Sequence, residues 1–334
     1  MEVNIVEDKK TWEDFVQRFS PSNFLTSWEW GEFNKRMSRD IFRLGLWEGS
    51  KLTGVCLTIV ERAKRGDFLL CPAGPLLKDF NLKNFKIFVS ELKRIAAKVD
   101  AKFIRIRPIY LVGHVEKTIK QEGFIESPTH VHAQVSWILD ITKDEEQLLS
   151  EMRKSTRYLV KHTVKDGLRV EEKSNLSGVR MLEKLQKETV QRHQFTPFSN
   201  EYLEKEFETF NKNKQIKVLI SFQNEQPLAA AMVIFYGDSA FYHQGASAKT
   251  KLPATYLLQW EMIKKAKALG KKYYNFWGIA SNNSSRHPWS GLTYFKQGFG
   301  GFRFDYTKPH DLPLSPFYPF IYWFEKLRQK TRGL

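Results

Sequence analysis

Near the C-terminal end of the 334-residue sequence one lysine stands among aromatic rings and glycines, in Thr293-Tyr294-Phe295-Lys296 followed by Gly298-Phe299-Gly300-Gly301. A cation in apolar surroundings is poorly screened and acts strongly on a nearby anion. Glycines at this density let the backbone approach a bound group and adopt positive φ. Lys296, flanked by Phe295 and Phe299, is therefore the first candidate for chemistry. Stabilising an oxyanion as it forms is what such a group could do. The plain alternative is a solvated lysine beside a hairpin.

Other chemistries find less support. His130 and His132 alternate as if along a strand, but no carboxylate or cysteine cluster accompanies them, so no metal site is expected. No Gly-x-Ser-x-Gly elbow and no Walker loop occurs. Cys56 and Cys71 lie in apolar strand candidates and read as reduced core thiols. Between the two halves of the chain, residues 145–167 carry Arg153, Arg157 and Lys161 at helical spacing on one face. Like charges so placed repel by some tenths of a kcal/mol unless they meet an anion, though a solvated face explains many such runs.

Elements must position these residues. A helix over Asp8–Phe19 and a second opening at Thr26 or Ser27 precede three strands, Ile41–Trp47, Leu52–Val60 and Phe68–Pro72. The helix Asn84–Val99 and the strand Phe103–Arg107 follow. The later half repeats this order in strands Ile216–Phe222, Leu228–Tyr236 and Phe241–Gly245, a helix Pro253–Leu269 and a strand Tyr273–Trp277. The offset is nearly constant at roughly 170 to 176 residues, the mark of a duplicated domain and not of a solenoid. An antiparallel meander crossed by helices is a mixed α/β (α+β) sheet, and the layout fits two tandem GCN5-related acyltransferase (GNAT-like) domains. The expected boundaries are 1–143, joined by a C-terminal helix 315–334, and 144–314. An acyl-CoA enzyme of this fold needs a glycine-rich phosphate turn before the helix that follows the meander. Neither Ala248–Ala254 nor Lys78–Leu82 supplies one.

Composition bounds the partners. Net charge is +16 with 42% hydrophobic and 27% charged residues, a globular chain that favours a polyanion. The N-terminus lacks an apolar signal core and no run of eighteen apolar residues occurs, so the expectation is a cytoplasmic protein. The tail combines Phe320-Ile321-Tyr322-Trp323-Phe324 with Lys326, Arg328, Lys330 and Arg332. Such a helix either meets an anionic membrane peripherally or packs its aromatic face back on the protein, and packing is the favoured reading.

Seven stretches, in order along nearly the whole chain, carry a resemblance: Phe24-Leu-Thr-Ser-Trp-Glu-Trp-Gly-Glu-Phe33, Pro72-Ala-Gly-Pro75, Arg153-Lys-Ser-Thr-Arg157, Tyr242-His-Gln-Gly-Ala-Ser247, Tyr256-Leu-Leu-Gln-Trp260, Phe276-Trp-Gly278 and Phe295-Lys-Gln-Gly-Phe-Gly-Gly301. The set resembles the FemABX family of non-ribosomal peptidyltransferases, in its compact FemX type without a coiled-coil arm. The resemblance implies transfer of an amino acid from aminoacyl-tRNA to the stem-peptide amine of a peptidoglycan precursor, UDP-MurNAc-pentapeptide or lipid II. It implies no cofactor beyond the tRNA donor and gives no oligomeric state, a monomer being expected. It makes Lys296 the catalytic lysine and Arg157 a ligand of the precursor phosphates. It puts Lys35 near a phosphate-binding position, although the register could favour Asn34. Tyr242 and Gln244 would line the precursor channel, glutamine being a departure from the family's tyrosine, and Phe295 and Phe299 beside the lysine are expected to touch substrate. Arg107 stands where many relatives carry an acid. An acyl-CoA-dependent N-acyltransferase and an RNA-binding protein on a degenerate GNAT fold are the alternatives.

Overall fold

The computed structural model describes residues 1–129, 131–162, 167–193, 197–282, 284 and 287–331. The chain starts with β1 (Glu2–Ile5), α1 (Lys9–Val16), a 3-10 turn at Phe24–Thr26 and α2 (Trp28–Arg36). Both helices begin where a short polar side chain can cap an orphan amide: Asp8 accepts from Thr11 N and Ser27 from Trp30 N. The meander is β2 (Ile41–Glu48), β3 (Lys51–Glu61) and β4 (Phe68–Cys71), with β5 (Leu76–Leu77) beside β3. Then come α3 (Leu82–Lys98), β6 (Phe103–Ile106), α4 (Glu116–Gln121) and β7 (Ile125–Glu126). Helix α3, capped by Asn81, buries Phe85, Phe88, Leu92 and Ile95 on one face, the spacing of an amphipathic helix on a sheet.

The chain continues through β8 (Val135–Asp140), α5 (Glu145–Glu151), α6 (Lys154–His162), β9 (Leu168–Lys173), α7 (Leu176–His193) and α8 (Asn200–Asn211). A second meander, β10 (Ile216–Gln223), β11 (Gln226–Tyr236) and β12 (Ser239–Ser247), leads to α9 (Ala254–Ala268) and β13 (Tyr273–Gly278). The last elements are α10 (Ser290–Gln297), β14 (Phe302–Asp305), β15 (His310–Pro313) and α11 (Tyr318–Thr331).

Two sheets result, β1-β2-β3-β4-β6-β15-β7 and β14-β8-β13-β12-β11-β10-β9. Each has an antiparallel meander whose third strand pairs in parallel with the strand after the helix, β4 with β6 and β12 with β13. That is the mixed, duplicated architecture expected from the repeated order of elements. The chain separates into one unit of residues 1–136, 280–290 and 304–334 and another of 137–279 and 291–303. Strand β8 is hydrogen-bonded into the second sheet, and β15 into the first, beside β6 and β7.

A buried ionic network ties the C-terminal segment to the first sheet. Arg105 on β6 makes a two-pronged contact with Asp311 on β15, both bonds 2.7 Å, and reaches Glu325 on α11 at 2.7 Å. Tyr318 donates its hydroxyl to Asp311 as well. These carboxylates hold the guanidinium charged against its desolvation and push its pKa up. Cys56 and Cys71 are free and buried on β3 and β4, with Thr58 Oγ1 near both sulfurs.

Two local expectations need correction. Residues 145–162 form two helices, not one, because the Arg153 amide donates to Gly298 O at 2.9 Å instead of continuing α5. His132 lies in a bend and not on a strand, its ring against Trp30, while His130 falls outside the described residues. Replacing Asp311 with alanine strands Arg105 in the interior and should cost about 3–5 kcal/mol of first-unit stability, read from the urea midpoint. A loss under about 1 kcal/mol would show that the network does not hold the C-terminal segment.

Candidate active site

The site grows from the parting of β12 and β13. Their parallel ladder pairs Ser239, Ala240 and Phe241 with Tyr273, Tyr274 and Asn275 and ends there, although β12 runs on to Ser247 and β13 to Gly278. A bulge helps re-aim β12 at this point. Met232 faces Gln244 and Val233 faces Tyr242, leaving His243 as the extra residue. His243 lies 3.0 Å from the buried carboxylate of Glu206 on α8. On β13, Trp277 has φ +66, a conformation that bulky L-residues adopt at a cost. The Asn275 side chain holds it there by accepting from Trp277 N at 2.7 Å. The turn directs the Gly278 carbonyl at Lys296.

Lys296, on α10, is 3% exposed and donates from Nζ to Gly278 O at 2.6 Å. The Tyr242 ring centroid lies 5.8 Å from Nζ. Burial disfavours the charged form and pulls the lysine down to about 7, while burial raises Tyr242 to about 12. An amine poised near neutrality can hold a proton or release one at working pH. The group that touches it is thus a backbone carbonyl. Gly245 makes room for Tyr242, since a Cβ there would sit 2.0 Å from the tyrosine hydroxyl.

Packing fixes α10 in place. Phe295 packs T-shaped on Tyr256 and Phe299, and Phe299 is wholly buried against Phe276. Phe299 therefore supports the helix from the core, and the expectation that it touches substrate is corrected. Tyr294 points outward, 59% exposed, and not around the lysine. Arg153 lies 3.6 Å over the Tyr294 ring and donates to Tyr294 O, so the start of α6 clamps the end of α10. Gly298 is required by that clamp, because a Cβ would meet Thr156 Oγ1 at 2.3 Å.

Gln244 is buried, and no partner is found for its Nε2 among the described residues. Arg157, half-buried on α6, gives one N–H to Ser150 O at 3.0 Å. Lys35 belongs to the other unit, on α2, 51% exposed and 3.1 Å from Glu32. Asn34 is excluded as its substitute, being buried with its amide on Trp30 O and its oxygen on Arg39. Arg107 is buried in the first unit against the carbonyls of Pro72 and Ala133, and desolvation lowers it to about 10. Lys296, Tyr242, Phe295 and Gln244 thus share one unit with Arg157. Sequence reasoning missed Asn275, the left-handed Trp277, the Gly278 acceptor and the Arg153 clamp. Phe276-Trp-Gly278 is one of the stretches that carry the resemblance, but side-chain chemistry does not reveal a carbonyl's aim.

The family model described as FemAB family matches residues 8–131, 123–221 and 216–326. The lipid II:glycine glycyltransferase of Staphylococcus haemolyticus is 22% identical, the match covering 92% of each chain. The solved structure of FemX superposes with a TM-score of 0.85 at 18% identity, covering 97% of this chain and all of that one. A tandem GNAT protein of clavulanic acid biosynthesis gives a TM-score of 0.59 at 8% identity, covering 94% of this chain and 99% of that one.

The buried lysine makes a prediction that is independent of any reaction. Its folded pKa of about 7 lies below the ordinary lysine value of 10.5, so between those values the unfolded chain binds the extra proton. Wild-type stability should therefore rise as pH increases from about 7 to about 10, a rise missing in Lys296→Met. At pH 7 the methionine variant should be the more stable by about 2–4 kcal/mol in urea denaturation. Equal stability with parallel pH profiles would show that the lysine is not desolvated.

Proposed function

The chain belongs to the FemAB family, and from that premise we propose that it is an aminoacyltransferase of peptidoglycan bridge synthesis. It moves an amino acid from aminoacyl-tRNA to the stem-peptide amine of a precursor, either UDP-MurNAc-pentapeptide or lipid II. The observation that carries the reading is Lys296, desolvated at the parting of β12 and β13 with its amine on the Gly278 carbonyl. The glycyl transfer to lipid II named for the staphylococcal relative supports the reaction class. A tRNA donor implies a cytoplasmic site of action.

The donor ester is already activated, so transfer calls for positioning and charge stabilisation. The acceptor amine attacks the ester carbonyl, forming the C–N bond and a tetrahedral oxyanion. Protonated Lys296 donates to that oxyanion, and collapse expels the ribose oxygen, which takes up the proton lost by the amine. Tyr242 bounds the pocket beside Nζ. Net charge of +16 suits two polyanionic substrates, tRNA and the precursor diphosphate, with Arg157 and Lys35 as phosphate ligands. Acyl transfer from CoA is the weaker reading. Helix α9 begins at Pro253 with no side-chain cap, and Thr250 accepts from Leu252 N where a phosphate cradle would need free amides.

The direct test is transfer of labelled amino acids from a charged tRNA pool to UDP-MurNAc-pentapeptide and to lipid II. Lys296→Ala should lower the rate by about 10²–10³-fold. Equal transfer by the variant would discard the site, and no transfer by wild type to either acceptor would discard the reaction. The pH dependence separates the lysine's roles. With an acceptor amine near pKa 10.4 and Lys296 needed protonated, log kcat/KM should climb with slope about 1 below pH 7 and level off above it. A slope of about 2 turning to about 1 would make the lysine a general base.

A further inference from the structure

Helix α11 commits one face to the first unit and leaves the other bare. Tyr318 and Ile321 are buried with Phe68, Leu70 and Phe103 of that unit's sheet, and Glu325 turns inward to Arg105 and Arg65. On the far side Phe317, Phe320, Trp323, Phe324 and Leu327 are 67, 77, 60, 55 and 62% exposed. At about 100° per residue, Phe320, Trp323, Phe324 and Leu327 form one continuous stripe, with Phe317 prolonging it at the helix start. The expectation that the aromatic face packs back on the protein is thus corrected. The helix packs through Tyr318 and Ile321, and the larger rings stand outside.

Singly scattered apolar side chains are ordinary on a surface, whereas a contiguous aromatic stripe marks a partner. Its flanks say which one. Lys326 lies along one side, with Nζ 4.9 Å from the Trp323 ring centroid and 5.7 Å from that of Tyr322. Arg328 is exposed on the other side. Lys64, in the turn between β3 and β4 that approaches Ile321, is also exposed. The one acid of the helix, Glu325, is buried. Basic groups on both sides of an apolar stripe match a surface of uniform negative charge. With 14 residues, α11 is shorter than the roughly 20 needed to span a bilayer.

We propose that α11 is an interfacial helix that seats its aromatic stripe in the headgroup region of an anionic bilayer, with Lys326 and Arg328 against lipid phosphates. On the function proposed above, this seat holds the site near a lipid-linked acceptor. The binding itself needs neither donor nor acceptor, so it stands or falls separately from that reaction.

The test is co-sedimentation of the full chain with vesicles of phosphatidylcholine alone or mixed with phosphatidylglycerol. Wild type should bind the phosphatidylglycerol vesicles at least tenfold more tightly. The joint variant Phe320→Ser, Trp323→Ser and Phe324→Ser should lose at least tenfold on them, and Lys326→Glu with Arg328→Glu should lose the preference for anionic lipid. Both variants should keep the wild-type circular dichroism. In unaltered protein, phosphatidylglycerol vesicles should slow hydrogen exchange across residues 317–328, a readout that needs no variant. Absence of wild-type binding, or undiminished binding by the serine variant, would overturn the proposal. So would a wild-type dimer that the serine substitutions convert to monomer, since the stripe would then cover a second copy of the chain.

Discussion

A lysine kept out of water, its amine on the Gly278 carbonyl, is the constraint on which the second unit depends. Removing an ammonium from water is costly, and the cost shows as a pKa pulled from 10.5 to about 7. The surroundings are built to bear it. Asn275 pins Trp277 in a left-handed turn so that Gly278 O meets Nζ. Phe276, Phe295 and Phe299 exclude water beneath α10, and Arg153 fastens its far end. A fold built for stability alone would place an apolar residue at 296, so the presence of an amine there argues for use.

The first unit solves a different problem with the same topology. Its meander and parallel strand repeat those of the second, yet the residue after β6 is Arg107, desolvated and held by carbonyls. Its sheet is completed by β15 and backed by α11, both drawn in by the carboxylates on Arg105. Breaking such a buried set leaves an uncompensated charge, which is why a segment more than two hundred residues distant in sequence stays in place. That anchorage also determines which face of α11 turns to solvent.

Elements governed by local chemistry were legible from the residues alone. Ser27 caps α2 because its hydroxyl reaches an orphan amide, and both meanders follow from strand patterning and short turns. The apolar setting of Lys296 was legible too, from its aromatic neighbours. What escaped was set by distant contacts. Phe299 reads as a ligand-facing ring beside the lysine, but only tertiary packing shows it facing the core. The break before α6 depends on Gly298 O, some 145 residues on, and no propensity in residues 145–162 announces it. The orientation of α11 hinged on whether Glu325 would find Arg105, a pairing across 220 residues.

The claim beneath all of this is that the fold desolvates Lys296, and titrating that amine tests it most directly. With lysines isotopically labelled at the side chain, the resonance absent from Lys296→Ala identifies the group by nuclear magnetic resonance. The account requires a midpoint near pH 7 in the free protein. A midpoint near 10.4, the value of a solvated lysine, would contradict it.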